Sequence, residues 1–487
     1  MNLSQLRFSS SLDENIETMK RIFQGDNTFI CRIVRGQGEP ALRCALFFFD
    51  GMVESESINT AIVRPVTRWK GGPMPIDALI ERVIQIDDCP VDPGTEKLFS
   101  AFLYGDTVIF VDGDSRPAVV NTKGFPKRST EEPDNEKVLR GPREGFTEAF
   151  MGNLALIRRR LRTPDLKFMF LQLGTVSHTT AVLCYLDGIA DKKVLDELRR
   201  RLDGIELDGI LDANYLAELI RDNRYSPFPT VGMTERPDIT AAKLLEGRVA
   251  LIVDGTPVAL TLPQILHETF QTNDDYYISY LYMNLSRLLR VFGFFLTVTL
   301  PGAYLALVTY HPEMIPTRLL YSISAARQDI PFSTLTEAIG TILVFEILKE
   351  AGTRTPDTVG QALSIVGGLV LGQAAVEARL VSAPMVIIVA FSGVTALIVP
   401  KLRTAALLLR FFLLGCAAVF GIYGLLFGWL LILVHLCSVQ SMGIPYLTNL
   451  LAREKHSGRD VFLRFPWFAM KPAHRFLAGE NRRGGTS

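Results

Sequence analysis

Apolar positions follow two different patterns along the chain. Up to residue 285, short runs of β-branched and aromatic residues alternate with stretches of helical period, a pattern of strands interleaved with amphipathic helices. The runs Ala45-Leu46-Phe47-Phe48-Phe49 and Val108-Ile109-Phe110-Val111 both end in Asp-Gly (Asp50-Gly51, Asp112-Gly113), a pair that turns the chain after a buried strand. The same order returns as Val182-Leu183-Cys184-Tyr185-Leu186-Asp187-Gly188 and Leu251-Ile252-Val253-Asp254-Gly255. The paired aspartates lie 62 residues apart in the first copy and 67 in the second, and each second run has a glycine before it (Gly105, Gly247) and a proline after it (Pro117, Pro257). The expectation is a tandem duplication of two related α/β subdomains, with strands and helices at roughly 30 to 135 and 150 to 265. The alternative is chance, because Asp-Gly after an apolar strand is common. The polar stretch from Asn121 to Asn135 separates the copies, so residues 1–140 form one subdomain and 141–285 the other.

From residue 291 the pattern changes to long apolar segments. Residues 291 to 310, 359 to 376, 381 to 400 and 411 to 434 carry no charge. About 20 apolar residues are needed to cross the hydrocarbon core of a bilayer, and three of the four reach that length. A buried helix of a soluble protein remains a reading for 359 to 376 alone. A fifth segment, 335 to 348, holds Glu337 and Glu346 and would have to bury its acids in protein or face water. The sequence therefore reads as an α/β region of two related subdomains followed by an α-helical multi-span membrane domain of five or six helices over 286–440, with a tail over 441–487.

Composition sharpens this division. Hydrophobic residues make up 48% and charged ones 21%, too apolar for an ordinary soluble enzyme of 487 residues. The balance of 51 basic and 51 acidic residues disfavours a nucleic-acid binder, and it conceals a split. Residues 1 to 290 hold 35 basic and 41 acidic side chains, and the remainder hold 16 and 10. Arg287 and Arg290 before the first span, and Lys401 and Arg403 after the 381 to 400 span, place both junctions in the cytosol, which requires the 335 to 350 segment to cross. The tail carries eight basic residues against three acidic ones, so a cytosolic tail is expected. That placement needs 405 to 438 to form a hairpin about Gly421 and Gly424, giving six crossings; one long tilted helix would give five. The first 30 residues show no apolar core of a signal peptide, and the large amino-terminal region is expected to stay in the cytosol.

Candidate chemistry is sparse. The six cysteines form no CxxC pair, and neither a disulfide framework nor a thiolate metal site is expected. No P-loop, GxGxxG after a strand, GxSxG or HExxH is present, so no enzyme activity and no cofactor is expected. His267-Glu268 are neighbours on an expected helix, pointing about 100° apart, and cannot serve one metal. Arg158, Arg159 and Arg160 on a helix running through Leu161 are either phosphate or lipid-headgroup ligands, or a solvated face that pairs with acids of the neighbouring subdomain. The 359–377 helix is built from small residues: Ser364, Gly368 and Gly372 repeat every four, beside Gly367, Leu371 and Ala375, with Gln373 and Glu377 at its polar end. Such a strip suits either tight packing in a bundle or the lining of a pore in an oligomer, where Gln373 and Glu377 meet water. Pro301 and Gly302 interrupt the first span as a static kink or a hinge. Arg410 and His435 are expected to snorkel from the ends of the last apolar stretch.

Several motifs together resemble the A subunit of GerA-type spore germinant receptors of endospore-forming Bacillota. They are Arg140-Gly141-Pro142-Arg143-Glu144-Gly145-Phe146-Thr147-Glu148, Tyr225-Ser-Pro-Phe-Pro229, Glu246-Gly-Arg-Val-Ala-Leu-Ile-Val-Asp-Gly-Thr-Pro257, Pro331-Phe-Ser-Thr-Leu-Thr-Glu-Ala338 and Ser364 through Glu377. The likeness runs from about residue 10 to 475; Ser333 departs from it where proline is usual. It implies a multi-pass protein of the spore inner membrane that acts with a transporter-like B subunit, which binds the nutrient, and a lipoprotein C subunit. It also implies a homo-oligomer, a pentamer, forming a nutrient-gated cation channel. A membrane-anchored scaffold or signalling subunit without conductance of its own is the alternative.

Overall fold

A computed structural model describes residues 6–124, 133, 136–354, 368, 370–448, 460, 461, 463–466 and 468. Among these, residues 6–221 with 231–263 form one unit, and residues 222–230 with 264–468 form a second.

The first unit is α/β with two antiparallel sheets. Strands β1 (Phe29–Arg35), β2 (Arg43–Phe49), β3 (Thr107–Val111) and β4 (Ala118–Val120) lie side by side in chain order. Strands β5 (Leu166–Leu173), β6 (Thr179–Leu186), β7 (Gly232–Thr234), β8 (Val249–Val253) and β9 (Ala259–Leu262) form the second sheet in the order β5-β6-β8-β9-β7. The four apolar runs are thus β2, β3, β6 and β8, in corresponding places. They are apolar without alternation because both faces of the first sheet are covered: Ala45, Phe47 and Phe49 enter one core cluster, Cys44 and Leu46 the other. Burial pushes the Cys44 thiol up to about 12 and raises that of Cys184 further still, so neither is a reactive thiolate.

The correspondence extends to hydrogen bonds. The Asp50 carboxylate accepts from the Gly51 amide at 3.0 Å, and Asp187 accepts from Gly188 at 3.0 Å. Gly113 donates to the Ser10 carbonyl and Gly255 to that of Glu148, each at 2.9 Å. Helices Leu12–Ile22 and Phe150–Arg160 precede the sheets, and each buries one asparagine. The Asn15 amide accepts from Ser9 N at 2.9 Å and donates to Ser9 O at 2.6 Å; Asn153 makes the same pair of bonds, at the same lengths, with Thr147. A six-residue reach therefore fixes the start of the helix in both halves.

The second unit is helical. Its longer helices among the described residues are Tyr280–Tyr310, Thr317–Arg327, Thr334–Arg354, a stretch through 370–377, Ala383–Ala396 and Arg403–Ser438. The first and last are long and apolar enough to cross a membrane. The 381 to 400 segment is shorter as a helix than its apolar length suggests, with 14 residues, because Ser382 caps its start and Pro400 opens a separate turn. Ser333 stands at the start of Thr334–Arg354, where its Oγ accepts from the Thr336 amide at 3.3 Å.

The Arg403–Ser438 helix reverses at Gly421, whose φ of 59° and ψ of −135° are outside helical space. A Cβ on Gly424 would lie 1.9 Å from the Cys416 carbonyl oxygen, and one on Gly428 would lie 2.5 Å from Leu413. On a straight helix those residues stand roughly 12 and 22 Å apart at 1.5 Å per residue. The segment is a hairpin. Its tip meets the end of the first long helix, since a Cβ on Gly421 would sit 2.9 Å from that of Tyr310, and the Tyr310 hydroxyl donates to the Ala418 carbonyl. At the same end Thr309 reaches Thr334 at 3.4 Å, and Glu337 reaches Ser382 at 2.6 Å.

The opposite end is closed by charge. Asp275, fully buried, accepts from Arg287 Nε at 3.0 Å and from Arg290. Tail residue Asp460 accepts from Arg287 at 2.8 Å and from the Tyr276 hydroxyl at 2.6 Å. The tail thus returns to the end where the first long helix begins. Residues 222–230 and 264–285 pack with the helices, although the division of the sequence at 285 groups them with the second subdomain. Phe228 is buried in the helical core, Ser226 bonds His435 at 2.9 Å, and the Tyr446 hydroxyl donates to Pro229 O at 2.8 Å. That is the structural use of the Tyr225–Pro229 motif.

Candidate functional site

The Arg140–Glu148 motif is a strap. Arg140 to Arg143 are exposed, while Gly145 and Phe146 are buried. Buried Arg236 donates to the Pro142 carbonyl at 2.6 Å and pairs with Asp238 at 2.9 Å. The Phe146 amide donates to Glu235 O at 2.7 Å, Thr147 is held by Asn153, and Glu144 receives Arg159 at 3.3 Å and Arg160 at 2.6 Å. Arg158 pairs with Asp26 at 2.5 Å, both side chains buried, with its guanidinium over the rings of Phe49 and Phe168. Burial lowers its pKa against the opposing pull of Asp26. The arginine run is engaged by acids within the unit, Arg158 by one from the first sheet's half.

The helical unit holds the polar chemistry. Pro301 has no N–H to donate to the carbonyl four residues earlier, which frees Thr297 O. Two groups from other helices meet that oxygen: Ser392 Oγ at 2.8 Å and Arg410 Nε at 3.2 Å. The other end of the Arg410 guanidinium lies 3.5 Å from Glu346, which pairs with Lys349 at 2.6 Å. Arg410 is 1% exposed, so it does not snorkel; it turns inward to a carbonyl and a carboxylate. Gly302 beside the proline is a packing position, because a Cβ there would lie 3.0 Å from Leu425 and 3.3 Å from the Leu413 carbonyl oxygen.

A cavity of about 510 Å³ lies among the Thr334–Arg354 helix, Gly368 with residues 371–381, and the Ala383–Ala396 helix. Gly368, Leu371, Gly372 and Ala375 line it, whereas Gln373 and Glu377 are exposed and bond one another at 2.9 Å. Ser364 and Gly367 lie outside the described residues. Among the described residues no backbone approaches the two glycines: a Cβ on Gly368 would meet nothing within 4 Å, and one on Gly372 only Val386 at 4.0 Å. The floor of the cavity carries Glu337, whose side chain is fully buried. Its Oε1 accepts from Ser382 N at 2.6 Å and from Ser382 Oγ at 2.5 Å. Its Oε2 has no hydrogen-bond partner among the described residues, and Arg327 Nε stands 3.8 Å away.

The pairing of Thr297 with Arg410 and Ser392, and that of Glu337 with Ser382, escaped the sequence reading. A signal for the first existed, since a proline inside a span always frees a carbonyl four residues earlier. The second joins residues 45 apart and left no local trace.

The profile of the family described as Bacillus/Clostridium GerA spore germination protein matches residues 17–476. The chain belongs to this family. Among relatives of this GerA member, Spore germination protein KA of Bacillus subtilis (strain 168) is 39% identical over 479 residues, covering 97% of this chain and 88% of that protein. A Bacillus subtilis relative named as an uncharacterized membrane protein, YfkQ, is 40% identical over 95% of this chain and 90% of its own length. Spore germination protein GerLA of Bacillus cereus is 35% identical, with 89% of each chain covered. A crystal structure of the N-terminal domain of the A subunit of the Bacillus megaterium spore germinant receptor GerK3 covers 54% of this GerA chain and 98% of its own, at 28% identity and a TM-score of 0.41. The GerA family is one of spore germination proteins and not a known enzyme family.

Proposed function

We propose that this GerA protein is the A subunit of a nutrient-responsive germinant receptor in the spore inner membrane, acting with copies of itself, as a pentamer, and with a transporter-like B subunit and a lipoprotein C subunit. The oligomer conducts cations when nutrient binds its partner, and the ion release triggers germination. The observation that carries the channel reading is the face of the 368–377 stretch. It carries Gly368, Gly372 and Ala375 beside Leu371, yet none of the described residues packs closely against Gly368 or Gly372, so its small residues are left for a pore or for another copy. Two related subdomains, 1–140 and 141–285, face the cytosol in this reading. Six crossings are supported by the hairpin at Gly421 and by the return of Asp460 to Arg287. Pro301 then acts as a fixed element, because its freed carbonyl is already bonded.

Reconstitution of the receptor in vesicles tests the reading. Leu371→Trp or Gly368→Trp should lower nutrient-stimulated cation flux at least tenfold while the complex still assembles. Unchanged flux with intact assembly removes this helix from the pore, and absence of flux from the native receptor favours a scaffold or signalling role.

A further inference from the structure

We propose that copies of this chain associate head to tail through the two hairpin tips of the sheet unit, the basic tip of one copy seating on the apolar, acid-rimmed tip of the next. The tips occupy corresponding places in the two halves. At the β1–β2 turn the Gln37 amide donates to the Trp69 carbonyl at 2.7 Å, and at the β5–β6 turn the Thr175 amide donates to Leu207 O at 2.9 Å. Each hairpin thereby clamps the loop that follows a helix, Arg64–Arg68 in one half and Lys192–Asp203 in the other.

The chemistry of the two tips is opposite. Around the second, Val176, Leu207, Leu211, Tyr215 and Leu219 are exposed, Val176 and Leu211 each by 73%. Tyr215 and Leu219 stand four apart on the helix Ala213–Leu219 and share one face. Fixed backbone presents these side chains, since the Val176 and Ser177 amides both donate to Asp208 O at 2.9 Å and Thr179 Oγ1 donates to Ile210 O at 2.8 Å. Exposed Asp203, Glu206, Asp208 and Glu218 rim the face and make no ion pair among the described residues, and nearby Arg200 and Arg201 are taken by Glu197 at 2.6 and 2.7 Å. Around the first tip, exposed Arg35, Arg64, Arg68 and Lys70 make no ion pair among the described residues, and Glu39 is the acid on its turn. Arg64 and Arg68 lie four apart in a helix, a spacing at which like charges repel.

Another copy is the occupant that answers both tips. An anionic surface would satisfy the basic tip and leave the acidic one unanswered, and a basic peptide would do the reverse. One chain carries both halves of the contact, and each tip relieves the repulsion within the other. A contact between two different patches repeats from copy to copy, which closes a ring or grows a filament. The head-to-tail contact rests on the oligomeric part of the function proposed above, not on conduction.

The test follows the mass of the full chain in detergent by light scattering over a dilution series. Arg64→Glu with Arg68→Glu sets acid against acid and should weaken self-association at least tenfold. Asp203→Lys with Glu206→Lys sets base against base and should do the same. All four substitutions in one chain exchange the two charges and should restore association to near the wild-type level, which neither a misfolded chain nor a surface for anionic lipid would do. Leu211→Ser, at an exposed position, should weaken association with every charge intact. A monomeric wild type overturns the proposal, as does undiminished association in either reversed pair or failure of the fourfold variant to restore it. Absence of nutrient-stimulated flux beside the expected mass pattern would remove the channel reading alone, and normal flux beside an unaltered mass pattern would remove this contact alone.

Discussion

Glycine plays opposite parts in the two units. In the sheet unit, Gly113, Gly188 and Gly255 have φ values of 91°, 73° and 84°, and a Cβ on any of them would meet nothing within 4 Å. They are needed for backbone conformation, not for space. In the helical unit, Gly424 and Gly428 keep helical conformation, yet a Cβ would strike the opposite arm of the hairpin at 1.9 and 2.5 Å. They are needed for space, not for conformation. Buried charge differs in the same way. Arg158 and Asp26 answer one another inside the sheet unit, whereas Arg410 divides itself between a carboxylate and the carbonyl that Pro301 releases.

The contrast can be broken first at the hairpin. Gly424→Leu should destabilise by at least about 4 kcal/mol and abolish monodisperse protein in detergent, while Gly415→Leu in the same helix, where a Cβ meets nothing within 4 Å, should behave as wild type. Equal behaviour in size-exclusion chromatography and thermal unfolding would mean a straight helix, and the hairpin would have to be abandoned. A second comparison sets Asp26→Ala against Glu346→Gln. The first strands a buried guanidinium and should cost about 3–5 kcal/mol; the second leaves Arg410 bonded to Thr297 O and should cost about 1–2 kcal/mol. Denaturant titration of both variants in the full chain orders them, and the reverse order would refute the shared role of that carbonyl. The smallest effect belongs to a turn: Gly188→Ala should cost about 1–2 kcal/mol through its left-handed φ, and Gly188→Asn should recover part of that loss. A loss as large as at Gly424 would point to an unseen steric neighbour.

Legibility in the sequence followed the range of the interaction. The Asp-Gly turns were readable because strand, turn residue and spacing all lie within a few positions. The chain reversal at Gly421 was readable from charge, since a basic tail and basic junctions constrain the parity of crossings before any contact is known. Asn15 and Asn153 were not singled out. A single polar residue on an amphipathic helix reads as solvated until its partner six residues upstream is seen to be buried with it. The inward turn of Arg410 was hidden because its partners, Thr297 and Glu346, come from two other helices. Glu337 and Glu346 were expected either to be buried in protein or to face water; Glu337 is buried against Ser382, and Glu346, partly exposed, stands beside Arg410 and Lys349.

The link from Arg287 to Asp460 spans 173 residues, whereas Asp275 is only 12 away. At a synthesis rate of ~5–20 residues per second, roughly 9–35 s pass between the emergence of Arg287 and that of its distant partner. Throughout that interval Asp275 alone offsets the arginines at the head of the first long helix. Only a chain translated past residue 460 can supply the second carboxylate, which makes the bond a structural mark that this part of the tail has been made. A truncated product would insert its first helix and still leave that latch open.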